Sequence, residues 1–163
     1  MIAPKKVSFV AIGIAACVMA IVIAIGTAVT DLGPWYQALT LPSWQPPGPV
    51  FGIVWTTIYL LTAASAVLAW RPVHTLSDAT KMIFVFGLNC VLNVMWSSIF
   101  FGLHRPDWAL YQVGFFWLSI LALIIFVWPR TKLGAILLLP YVVWVSIASV
   151  LNFETVRLNM PFS

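Results

Sequence analysis

The chain has 163 residues, of which 63% are hydrophobic and only 7% charged, and its mean hydropathy is +1.05. A water-soluble domain carries about 25% charged residues, so this chain lacks the charge to cover a surface facing water and lipid must cover most of it. The net charge of +4 is scattered over the ends of apolar runs, where basic residues orient a membrane protein, so no nucleic-acid partner is expected.

Backbone groups in lipid must be satisfied internally, which leaves helices or a closed barrel. The apolar runs are continuous rather than alternating, so the expected fold class is an all-α membrane protein, a bundle of five transmembrane helices forming one domain over residues 1–163. The expected spans are Val7–Val29, Val50–Trp70, Met82–Leu103, Trp108–Trp128 and Leu133–Phe153, each 21 to 23 residues long. That length suits a hydrocarbon core of about 30 Å at about 1.5 Å per residue.

The first span follows Lys5 and Lys6 and resembles a signal peptide as far as Ile14-Ala15-Ala16-Cys17. Its apolar run continues to Val29, beyond the roughly 7–15 residues of a signal core, so it is read as a retained helix. Ala16, Ala20, Ala24 and Ala28 recur every fourth residue and form a smooth ridge for close packing, either within the bundle or against a second protomer. Residues 30–49 form a loop rich in Trp and Pro, the longest segment that water reaches. Trp35, Tyr36, Trp44, Pro46 and Pro47 are its candidate capping residues.

In the second span, Phe51, Trp55, Tyr59, Thr62 and Ala66 share one stripe. In the third, Asn89, Asn93, Trp96 and Phe100 follow spacings of four, three and four and share one face. An amide at that depth needs a partner, either another helix or a ligand. Trp108 opens the fourth span. In the fifth, Pro140, Trp144, Ala148 and Asn152 share a stripe, and Pro140 is expected to kink the helix. Trp55, Trp96 and Trp144 lie within their helices, facing a cavity, a neighbouring helix or lipid.

Ionisable chemistry is sparse. Asp31 is the only charge between Val7 and Trp70, and the third and fourth spans carry none internally. A proton-coupled transporter normally needs an acid or His at membrane depth. His74 and His104 both fall in links, so haem ligation is not expected. Zinc spacings, phosphate loops and nucleophile–base triads are missing, so no metal, no required cofactor and no conventional acid–base enzyme are expected. Cys17 and Cys90 both lie in apolar runs and read as small packing residues. Glu154 and Arg157 read as a helix-end pair.

Lys5, Lys6, Arg71, Lys81, Arg130 and Lys132 fall on one side of the five spans, and Arg105 and Arg157 on the other. Six against two places the N-terminus in the cytoplasm, with the loop opposite. The absence of an Arg-rich transit segment fits a bacterial cell envelope.

An aromatic, charge-poor cavity with one or two amides suits a flat apolar ligand. Indole stacking and apolar burial would supply affinity, and an amide or indole N–H would fix a carbonyl or carboxylate. Porphyrins and sterols both fit.

Several motifs in order along the chain carry a family resemblance. They are Trp35-Tyr36-x-x-Leu39, Leu41-Pro42-Ser43-Trp44-Gln45-Pro46-Pro47, Val54-Trp55-Thr56, Asn93-x-x-Trp96-x-x-Ile99-Phe100-Phe101-Gly102, Trp108-Ala109-Leu110, Pro140-Tyr141-x-x-Trp144 and Leu151-Asn152-Phe153. Together they resemble the TspO/MBR family, the translocator proteins or peripheral-type benzodiazepine receptors. The resemblance implies five helices, often in a homodimer, and a pocket under the first loop for porphyrin or tetrapyrrole intermediates, or for sterols. Carried over by position, the ligand-binding residues are Tyr36, Trp55, Asn93, Trp96, Trp108, Trp144 and Ala148. The implied role is sensory, regulatory or transport. The alternatives are light-dependent porphyrin breakdown using Trp55 and Trp144, or passive transport of an apolar ligand. Phe153 stands where the animal sterol motif has Tyr, and Phe84 and Leu88 fall where some members have glycines.

Overall fold

The computed structural model describes residues 9–162. Lys5, Lys6 and the expected start at Val7 lie outside the described residues. Seven α-helices follow in order: α1 (Phe9–Val29), α2 (Pro34–Gln37), α3 (Gly48–Trp70), α4 (Leu76–Ser97), α5 (Pro106–Val127), α6 (Lys132–Ile136) and α7 (Leu139–Asn159). A π-turn, Ser98–Gly102, continues α4. Among the described residues there is no strand. Five spans are long and apolar enough to cross a membrane: Ile12–Val29, Gly48–Trp70, Leu76–Gly102, Pro106–Val127 and Lys132–Asn159.

Local chemistry sets the ends. α3 begins at Gly48-Pro49, because proline in the first turn loses no hydrogen bond there. α4 begins at Leu76, ahead of the expected Met82. The Thr75 side chain accepts from the Asp78 N–H at 3.1 Å, which caps the helix, and donates to the Asp78 carboxylate at 3.0 Å. Pro106 and Asp107 open α5, where proline fits the first turn and the acid meets the positive end of the helix dipole.

The fifth span is broken rather than kinked. α6 ends at Ile136, residues 137–138 form a turn, and Pro140 sits in the first turn of α7. In a continuous helix the proline ring would clash with the carbonyl of Ile136, so the chain restarts instead. α7 then runs past the expected end at Phe153 to Asn159.

The core is built on α5, which packs chiefly against α4 and α7. Ala109, Val113, Phe116, Ile120, Leu123 and Val127 are all buried. Their alternating spacings of four and three draw one apolar stripe through the bundle. α1 lies on the outside against α3 and α4, and Val22 is its one buried side chain among the described residues. The alanine ridge, Ala16, Ala20, Ala24 and Ala28, is exposed. It therefore faces away from the bundle, and the intramolecular reading of that ridge is excluded.

Candidate functional site

The Trp/Pro loop is held at Thr40 and at Trp35. The Asn159 amide, at the end of α7, accepts from the Thr40 N–H and donates to the Thr40 carbonyl, each at 2.8 Å. One side chain thus reads both backbone groups of Thr40, as a neighbouring strand would. Within α2, the Trp35 ring stacks on His104 with centroids 4.2 Å apart and planes 14° from parallel. His104 has φ +54°, a left-handed conformation uncommon outside glycine. The Tyr36 hydroxyl accepts from the Gln45 amide at 3.2 Å, which folds the loop back on itself.

Under the loop lies the π-turn. It widens the helix at Ser98–Gly102 and brings Phe100 and Phe101 beneath the loop, an insertion frequent at functional sites. Trp35 meets Phe100 edge-on at 6.2 Å, Tyr36 meets Phe101 at 5.7 Å, and Trp96 meets both phenylalanines, at 5.3 and 6.1 Å. The Trp96 indole N–H donates to Asn152 Oδ1 at 3.2 Å, and the Asn152 amide donates to the Pro106 carbonyl at 2.9 Å.

Deeper in the bundle, a chain of hydrogen bonds crosses four helices. The Tyr59 hydroxyl donates to Asn93 Oδ1 (3.2 Å) and Asn93 Nδ2 donates to the Tyr141 hydroxyl (3.3 Å). Tyr141 donates to Asn89 Oδ1 (3.1 Å) and Asn89 Nδ2 donates to the Ser119 hydroxyl (2.8 Å). Ser119 closes the chain on the Phe116 carbonyl (2.7 Å). Both amides of the third-span face are therefore satisfied by other helices, as buried polar groups in lipid require.

Beside this chain stand the remaining rings. Trp55 stacks on Tyr59 at 5.5 Å and meets Tyr141 edge-on at 6.2 Å. Phe51 meets Trp144 edge-on at 5.4 Å. Trp144 is 7% exposed, and its indole N–H is buried with no acceptor.

Of the residues singled out from sequence, Trp55, Trp96 and Trp144 pack into the same apolar cluster. Asn93 lies beside them through Tyr59 and Tyr141. Ala148 is partly buried one turn beyond Trp144. Trp35 and Tyr36 cover the π-turn; Pro46 is half-buried, while Pro47 is exposed and flanks the start of α3. Trp44 and Trp108 are about half exposed. Trp108 instead carries the Arg105 guanidinium over its ring at 4.1 Å. Arg105 also donates to the Asp107 carboxylate at 2.8 Å, and that bond holds its guanidinium above the ordinary range.

Tyr59, Tyr141, His104 and Asn159 were not singled out as site residues. Tyr59 follows Trp55 by one turn and Tyr141 precedes Trp144 by three residues, so helical spacing carried the signal for both. Nothing local marks Asn159, whose partner is 119 residues away.

These features define a multi-pass helical membrane protein with a tryptophan-rich, loop-covered end. The TspO/MBR family profile matches residues 11–158. The chain is 34% identical over 132 residues to Protein CrtK of Rhodobacter capsulatus, covering 81% of this chain and 82% of that protein. It is 33% identical over 125 residues to the Tryptophan-rich sensory protein of Cereibacter sphaeroides, covering 77% of each. It is 32% identical over 128 residues to the human Translocator protein, covering 77% of this chain and 75% of that one. The chain belongs to the TspO/MBR family.

Proposed function

We propose that this protein binds flat apolar ligands, foremost porphyrin or other tetrapyrrole intermediates and secondarily sterols, among Trp55, Asn93, Trp96 and Trp144, in a sensory, regulatory or transport role. The observation that carries the reading is Trp144. Its buried indole N–H lacks an acceptor, and an unmade hydrogen bond of this kind costs about 1–3 kcal/mol. A ligand carbonyl or carboxylate would remove that cost. The surrounding rings offer stacking surface, and Asn93 offers an amide already held in orientation by two tyrosines.

With Phe51 and Trp144 in edge contact at 5.4 Å, no flat ligand fits between them, so binding parts these rings. The loop supplies the cover, through Trp35 and Tyr36 over the π-turn. Its clasp is the pair of bonds between Asn159 and Thr40. Trp108, outside the cluster, has no part in this reading. The cytoplasmic N-terminus rests on the Lys/Arg distribution, and the bacterial envelope on the similarity to bacterial relatives. The homodimer rests on the family resemblance, with the exposed alanine ridge of α1 as one available surface.

Titrating the purified protein with protoporphyrin IX should quench tryptophan fluorescence saturably. Trp144→Phe removes the unpartnered donor and Asn93→Ala removes the amide, so each should weaken binding about tenfold, the worth of one hydrogen bond of about 1.4 kcal/mol. Curves for both variants that superimpose on the parent curve would show that the ligand binds elsewhere.

A further inference from the structure

We propose a second ligand site in the half of the bundle away from the loop: the groove between α1, α3 and α4 takes an elongated hydrocarbon that carries one hydroxyl or carbonyl oxygen at its leading end. The groove encloses about 460 Å³, within the roughly 300–1,000 Å³ of small-molecule sites. It runs along α3 from Thr62 to Trp70, about 12 Å of helix at about 1.5 Å per residue step. Its outer lip is formed by Ile14, Val18 and Ile83, all exposed, so it opens sideways to lipid. Thr62 lies seven residues beyond Trp55, about 10 Å further along α3.

The polar requirement comes from Thr62. This side chain lines the groove, is 4% exposed, and its buried hydroxyl makes no hydrogen bond. A helical threonine ordinarily donates back to the carbonyl four residues earlier. Thr57, Thr80 and Thr155 of this chain do so at 2.8 to 2.9 Å. Thr62 does not, so its buried hydroxyl is an unpaired donor and acceptor beside a groove whose other lining side chains are apolar except for the Cys90 thiol and the Trp70 indole N–H. Beyond Thr62 the space shrinks to about 10 Å³, bounded by Tyr59, Asn93 and Tyr141, about the lower limit for a single water. A ligand therefore stops at Thr62, with its oxygen there and its hydrocarbon trailing towards lipid.

Photolabelling tests this in phosphatidylcholine nanodiscs. The probes are hexadecanol and hexadecane, each carrying a mid-chain diazirine. The alcohol should label residues 62–70 and 82–90 several-fold more than the alkane. Thr62→Val should abolish that preference and Thr62→Ser should keep it. Gly87 lines the groove and a Cβ added there meets no heavy atom within 4 Å, so Gly87→Leu starts its side chain in open space and should lower labelling by both probes there. Protoporphyrin quenching should be unchanged in these variants, which separates this site from the one under the loop. Equal labelling by the two probes, or labelling spread evenly round the bundle, would overturn the proposal. So would labelling indifferent to Gly87→Leu, or a change in oligomeric mass on that substitution with labelling unaltered, which would make the groove a contact between copies.

Discussion

Phe116→Ala should destabilise the bundle by about 2–3 kcal/mol, while Phe115→Ala, one residue away, should change stability by less than about 0.5 kcal/mol. The side chains are identical and their surroundings opposite. Phe116 is 1% exposed in the central stripe of α5 and meets Tyr141 edge-on at 5.8 Å, whereas Phe115 is 67% exposed on the lipid side. In a water-soluble core the loss at Phe116 would be roughly 3–5 kcal/mol. Here lipid already solvates the ring when helices separate, so the transfer part shrinks and the cavity part remains. Reversible unfolding in mixed micelles compares the two variants. Equal effects would mean that α5 is rotated from the orientation described.

Tyr141→Phe should cost about 1–3 kcal/mol, the second large effect. Tyr141 accepts from Asn93 and donates to Asn89, so removing one oxygen leaves an amide N–H and an amide oxygen without partners. Single hydrogen bonds between membrane helices average about 0.6 kcal/mol and reach about 1.7, and this substitution breaks two. Tyr59→Phe leaves Asn93 Oδ1 bare but keeps Asn93 Nδ2 on Tyr141, so it should cost about half as much by the same reasoning. The same unfolding assay reads both. Tyr141→Phe as mild as Tyr59→Phe would show that the chain of bonds does not run through Tyr141.

The five spans were legible because lipid imposes a simple requirement: long apolar runs with few charges. The ends were harder. The start of α4 rests on the Thr75 cap, about seven residues before the apolar run expected from Met82, and the Pro140 break was readable as a disturbance but not as a restart of the helix. The third-span face Asn89, Asn93, Trp96 and Phe100 was visible from spacing alone. Its partners were not, because a 3.6-residue period gives a direction and not the neighbour met in that direction. The groove at Thr62 was invisible for the same reason: three helices make it, and only their packing leaves it open. The loop clasp joins Thr40 to Asn159 across 119 residues, which no local pattern can encode.

The account depends most on the tetrapyrrole lying among the tryptophans and amides beneath the loop. An experimental structure with protoporphyrin IX bound tests that directly. The macrocycle should contact Trp55 and Trp144, the Trp144 indole N–H should donate to a ligand oxygen, and the Phe51 and Trp144 rings should stand further apart than 5.4 Å. Porphyrin density on the outer face of the helices or in the groove beside Thr62, with Phe51 and Trp144 still in edge contact, would contradict it.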